Sequence, residues 1–151
     1  MLTKDDFDKL KSFSPTQGSL PQYLYDMLTK KRIEEAKKSD NANLDPELAE
    51  SIRWRRSQII KRFPSLALAK LASYEKLRSD LAEAVCKNLE SHPDNRSTDM
   101  EAMEEAHLIV TAATTVQWAA ATSATRRGIP LTSTKDFDKA LTGLQQIFNA
   151  I

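Results

Sequence analysis

Ile109–Arg127 reads IVTAATTVQWAAATSATRR, and no charge appears in it before Arg126. Three roles fit so long an uncharged stretch: a membrane segment, a core helix, or a surface that meets another copy of the chain. A bilayer core takes about 20 predominantly apolar residues. Thr111, Thr114, Thr115, Gln117, Thr122 and Ser123 break this run with hydrogen-bonding groups, so it is no spanning helix. Wound as a helix, it sets Ala102, Ala106, Ala113, Ala120 and Ala124 broadly on one side, with Val110 and Gln117 close by. His107, Thr111, Thr114 and Trp118 lie on a neighbouring side. Such a helix offers little charge to water and must be covered on most sides. A monomer core would cover it. So would a second copy across a two-fold axis, with the last helix and its Gly143 alongside.

Caps and prolines divide the rest of the chain. Thr3 and Asp6 open a short helix to about Phe13, and SPTQGS is a loop. Ser19 and Gln22 form a capping-box pattern before YLYDMLTKKRIEEAKK. SDNAN is polar and irregular. Asp45 then caps a helix led by Pro46, with Leu48, Ile52, Ile59 and Phe63 on one stripe. Pro64 separates it from a long helix over 65–91, where Leu71, Tyr74, Leu77, Leu81, Val85 and Leu89 recur every three or four residues. Thr98 and Glu101 repeat the capping pattern and open the uncharged helix. Gly128 and Pro130 end it. Ser133 caps a last helix striped by Phe137, Leu141, Leu144, Phe148 and Ile151. The pattern predicts an all-α fold of six helices in one domain over residues 1–151.

Composition agrees with a folded, water-borne domain: 40% of residues are hydrophobic and 28% charged. The net charge of +1 announces no nucleic-acid surface. The single cysteine, Cys86, rules out an internal disulfide and fits a reducing cytoplasm, and MLTKDDFDKLKSF lacks the apolar core of a signal peptide.

In element order the chain resembles the C-terminal regulatory domain of TetR-family transcriptional repressors. Three segments carry the likeness: LDPELAESIRWRRSQIIKRFPSLALAKLASYEKLRSDLAEAV, EEAHLIVTAATTVQWAAATSATRRGIPL and STKDFDKALTGLQQIF. MLTKDDFDKL is similar to the segment that follows that family's DNA-binding head. The head itself, with its helix-turn-helix, has no counterpart here. The resemblance therefore implies the sensing and dimerisation half of a regulator. It implies a six-helix bundle whose last two helices form a four-helix interface between two copies, and a small apolar or aromatic effector. DNA would be reached only through a head outside this sequence.

On that footing the interface falls on Ala113, Gln117, Ala120, Ala121, Ala124, Phe137, Leu141, Leu144 and Phe148. The effector pocket falls among the second to fifth helices, walled by Tyr23, Met27, Trp54, Tyr74, Leu77, Thr114 and Trp118. Large aromatics, a pliant methionine and a threonine hydroxyl suit an apolar ligand held by a few directional contacts. The aromatics read equally well as ordinary core.

The remaining chemistry is sparse. Glu104 and His107 have the E-x-x-H spacing of di-iron bundles, but such sites need two of these motifs, and the only other histidine is His92 beside Pro93. No metal or cofactor is expected. Cys86 has no base to activate it and reads as a structural thiol. No nucleophile, base and orienting group can be assembled, so an enzyme is not expected. The basic clusters Lys30–Arg32, Arg53/Arg55/Arg56, Lys61–Arg62 and Arg126–Arg127 read as solvated helix faces and helix ends. A second reading has the arginines beside Trp54 steering an anionic ligand. Partners are then a second copy and a hydrophobic effector, with no membrane. The alternative function is a homodimeric helical scaffold or adaptor with no small ligand.

Overall fold

Thr3 and Asp6 start the chain as a reciprocal cap. The Asp6 amide donates to Thr3 Oγ1 and the Thr3 amide donates to Asp6 Oδ2, at 3.2 and 2.7 Å. They open α1, Lys4–Ser12. A 3₁₀ turn over Pro15–Gln17, capped by Ser14, leads through Gly18 at φ 125° to α2, Leu20–Ser39. α3 spans Pro46–Arg62, α4 Pro64–Ser91, α5 Ala102–Arg126 and α6 Thr134–Asn149. This computed structural model describes residues 1–39, 46–128 and 133–150, and every regular element among them is helical. The expected Asp45 cap, the SDNAN loop beyond its first serine, Pro130 and Ile151 lie outside the described residues, as do the side chains of Arg53 and Lys61.

Two helix starts differ from expectation. Gln22 does not complete a box in the observed bonds; its amide donates along α2 to Asp26. α5 begins at Ala102 rather than near Thr98, and the carboxylate that folds back over its start belongs to Glu105. Glu105 Oε1 accepts from the Ser97 and Thr98 amides at 2.6 and 3.2 Å, and Oε2 accepts from Arg96 Nε at 2.5 Å. Glu105 is buried, so it can reach these amides from beneath the turn, whereas Glu101 stands exposed.

The core lies between α1, α2, the second half of α4 and α5. Leu10, Leu24, Leu81, Val85, Leu89 and Val110 are almost wholly buried there. α6 joins through Phe137, fully buried in its first turn, whose carbonyl accepts a 2.6 Å hydrogen bond from the Tyr25 hydroxyl. Burial pushes the Tyr25 pKa up to about 12, with Asp138 adding to the effect, so the phenol stays a donor.

The long stripe of α4 is covered only in part. Leu81, Val85 and Leu89 are buried, Tyr74 and Leu77 are half-buried, and Leu71 is exposed. α3 packs mainly on α4, and its stripe remains open to water at Leu48, Ile59 and Phe63. No described side chain between Glu47 and Lys76 is buried. Amphipathic spacing marks a face that seeks cover; among the described residues Leu48, Ile59 and Phe63 of this one stay exposed.

Candidate functional site

Gln117 and the alanines turn α5 inward. Ala106, Ala113, Ala120, Ala124 and Val110 are buried against the protomer's own helices. Their small size lets α2 and α4 approach closely. Gln117 stitches the seam to α2: its Nε2 donates to Thr29 Oγ1 at 2.9 Å and to the Tyr25 carbonyl at 3.2 Å, and its Oε1 accepts from Arg32 Nε at 3.1 Å. Ala113, Gln117, Ala120, Ala124 and Phe137, expected at a subunit interface, are therefore interior to one copy. Ala121, Leu141 and Leu144 are half-buried, and Phe148 is exposed.

The opposite side of α5 carries the unusual surface. Leu108, Thr111, Ala112, Thr115, Trp118, Ala119, Thr122 and Ser123 are all exposed, and none is charged. A solvent-facing helix side ordinarily carries charge. Here about four turns carry none. Beside this surface a shallow groove of about 350 Å³ runs between α5 and α6, floored by Val116, Ala119, Ala120, Ala140, Gly143 and Leu144. The Arg127–Asp136 ion pair, at 2.9 Å, closes one end.

Gly143 is informative. It lies within α6, where glycine costs roughly 1 kcal/mol relative to alanine. A Cβ built there would meet nothing within 4 Å. The protomer does not need the glycine for its own packing. A small residue on a groove floor suits close approach by something outside the protomer.

A second groove, of about 400 Å³, opens between α2, α5 and α6. Pro21, Tyr25, Ile109, Val116, Leu141 and Leu144 make it mainly apolar, with Gln22 and Gln145 at its edges. Both grooves are open to solvent; neither is an enclosed cavity.

The residues expected to wall a pocket occupy separate places. Tyr23 stacks on Phe13, ring centroids 4.4 Å apart, and with Met27 borders a polar cleft containing Asp6 and Lys31. Tyr74 has the Arg78 guanidinium 5.9 Å from its ring centre. Leu77 packs at the margin of the core. Thr114 is buried and spends its hydroxyl on the Val110 carbonyl at 2.8 Å. Trp54 on α3 and Trp118 on α5 are 64% and 61% exposed. The inward-pointing convergence of α3 with α2 and α5 that the sequence suggested is not formed, because α3 stands off the core.

Other candidate chemistry stays separate too. Glu104 and His107 are exposed, and among the described residues no three metal-ligating side chains cluster. Cys86 is buried; burial raises its pKa, and Glu90, accepting from Sγ at 3.2 Å, raises it further. The thiol is held protonated. Sequence reasoning missed Glu105, Asn88 and Asn95, which organise the end of the bundle. Only the short, polar connection around Pro93 hinted that side chains must finish the helices there. No family model, curated protein or solved structure matches the chain.

Proposed function

We propose that this chain is a dimerising helical module in which two copies meet through the outer side of α5 and the α5/α6 groove. The carrying observation is the uncharged exposed side of α5, from Leu108 to Ser123, beside a groove floored by Gly143. Two such surfaces related by a two-fold axis make a four-helix contact of self-complementary small and apolar residues. Ile147 and Phe148, both exposed on α6, extend it. The module's task is then to hold two copies of whatever it is joined to in fixed relation.

Sedimentation of the full chain at micromolar concentration tests this. The unmodified chain should run as a dimer. Ala119→Lys, which alters only the outer groove, should give a folded monomer. Ala120→Lys, one position on, enters the core and should unfold the protomer. A monomeric unmodified chain would sink the proposal.

A second reading has its own observation. The α2/α5/α6 groove has the volume of a small-molecule site and a mainly apolar lining. That supports a sensor of the TetR-like kind, in which an apolar or aromatic effector changes the spacing of two attached DNA-binding heads. Screening aromatic acids and acyl chains by thermal shift tests it, since a ligand at a hundredfold over its Kd adds about 2.7 kcal/mol. Ile109→Trp should fill the groove and abolish the shift.

A further inference from the structure

We propose that the arm formed by α3 and the first half of α4 docks on the surface of an anionic lipid bilayer. Its apolar side chains enter the acyl boundary, and its arginines and lysines engage lipid phosphates.

Large apolar groups are exposed along the whole arm. Trp54, Ile59, Phe63, Leu66, Leu68 and Leu71 are each between 47% and 65% accessible. Soluble surfaces scatter such residues singly; a run of them marks a contact. The charge of the middle of the arm is one-sided, with Glu47, Glu50 and Glu75 only towards its ends. Residues 51–74 hold six lysines and arginines and no aspartate or glutamate, whereas the whole chain carries only +1. Arg55, Arg56, Arg62 and Lys70 are exposed among the apolar residues.

The occupant must therefore supply both negative charge and an apolar medium. A second copy meeting arm to arm would set like charge against like, since a two-fold contact pairs a patch with itself. Nucleic acid supplies phosphate, but Ile59, Leu66, Leu68 and Leu71 would find little to bury them in its backbone. An anionic bilayer supplies both, and basic residues with Trp, Phe and Leu are the composition of interfacial helices. The contact lies along the surface: among the described residues no helix is long and apolar enough to cross a membrane. Pro64 sets the turn of the arm, so exposed Phe63 and Leu66 form its tip.

Flotation of the full chain with phosphatidylcholine vesicles, with and without phosphatidylglycerol, tests the proposal. Partition onto the anionic vesicles should exceed that onto the neutral ones by at least about tenfold at low salt, and should fall as salt rises. The double variant Arg55→Glu/Arg56→Glu should lose about tenfold or more. Leu68→Ser/Leu71→Ser should weaken binding while circular dichroism stays unchanged, because both positions are exposed. With Trp54 and Trp118 changed to Phe, the indole introduced by Phe63→Trp should shift to the blue on anionic vesicles. Equal partition onto both vesicles, no partition, or binding indifferent to the arm substitutions would overturn the proposal. So would arm variants that change the sedimentation coefficient in the absence of lipid, which would assign the arm to a second copy.

Discussion

Asn88 does more for this fold than its position in α4 suggests. Its amide Nδ2 donates to the carbonyls of Leu10 at 2.8 Å and Phe13 at 2.9 Å, and its Oδ1 accepts from Asn95 Nδ2 at 2.8 Å. Asn95 also donates to the Phe13 carbonyl, at 3.0 Å. The C-terminal end of α1 is thereby finished by two side chains from elsewhere. Asn88→Ala strips donors from buried carbonyls and should cost about 3 kcal/mol, at roughly 1–3 per group left unsatisfied. Urea unfolding should show a lower midpoint with an unchanged slope. Acid will act through two carboxylates. Asp6 is lowered from 3.8 to about 2, chiefly by the hydrogen bond from the Thr3 amide and also by Lys31. Burial alone would raise Glu105, but the bonds from Ser97, Arg96 and Thr98 outweigh it and hold it below its ordinary value. A depressed folded pKa gives stability that is complete above the unfolded value and is lost as pH falls through the folded one. Thermal stability should thus decline below about pH 4, and Asp6→Asn should make that decline shallower. The Thr3–Asp6 cap was legible in the sequence, but the roles of Asn88, Asn95 and Glu105 were not. A lone asparagine inside a helical stretch carries no pattern, and Glu105 looks no different from Glu104 beside it.

At the scale of elements, the sequence was informative about where helices run and less so about what they face. Prolines and small polar caps interrupt the chain at physically necessary points, so Thr3, Pro64 and Ser133 bound helices where expected. Periodicity marks an apolar side but is silent on its neighbour. For α5 this inverted the expectation: alanines read as a subunit contact lie against α2 and α4, and the threonine-rich side faces out. Gln117 explains the choice, since a buried amide needs the Thr29 hydroxyl and the Tyr25 carbonyl that only α2 supplies. Gln117→Leu should leave Arg32 and Thr29 without that partner and cost about 1–3 kcal/mol by chemical denaturation. The grooves bordering α5 were not legible, because they depend on how far α6 diverges from α2.

The whole molecule has two parts of different character. The bundle of α1, α2, late α4, α5 and α6 has a continuous buried core. The arm of α3 and early α4 has none among its described side chains. Local opening follows burial, so amide exchange should be fast along 47–70 and slow at Leu81–Leu89, where opening requires disrupting the core. Cys86 sits in the slow part. It should resist iodoacetamide in the native chain and react on unfolding, with a burial-raised pKa compounding its inaccessibility. Caps and helical periodicity marked the all-α class, yet the separation into core and arm was hidden, because α3 carries the same apolar spacing as helices that are buried.

The asparagine pair also governs timing. Phe13 and Asn95 are 82 residues apart in the chain. A ribosome adding about 5–20 residues per second needs roughly 4–16 s to span that interval. Throughout it, α1 has no permanent place to rest. Its end is fastened only when the segment around Pro93 has emerged from the exit tunnel. On arrested nascent chains of increasing length, protection of residues 4–13 from protease should appear abruptly once Asn95 is outside, and should not appear in Asn88→Ala chains of the same length.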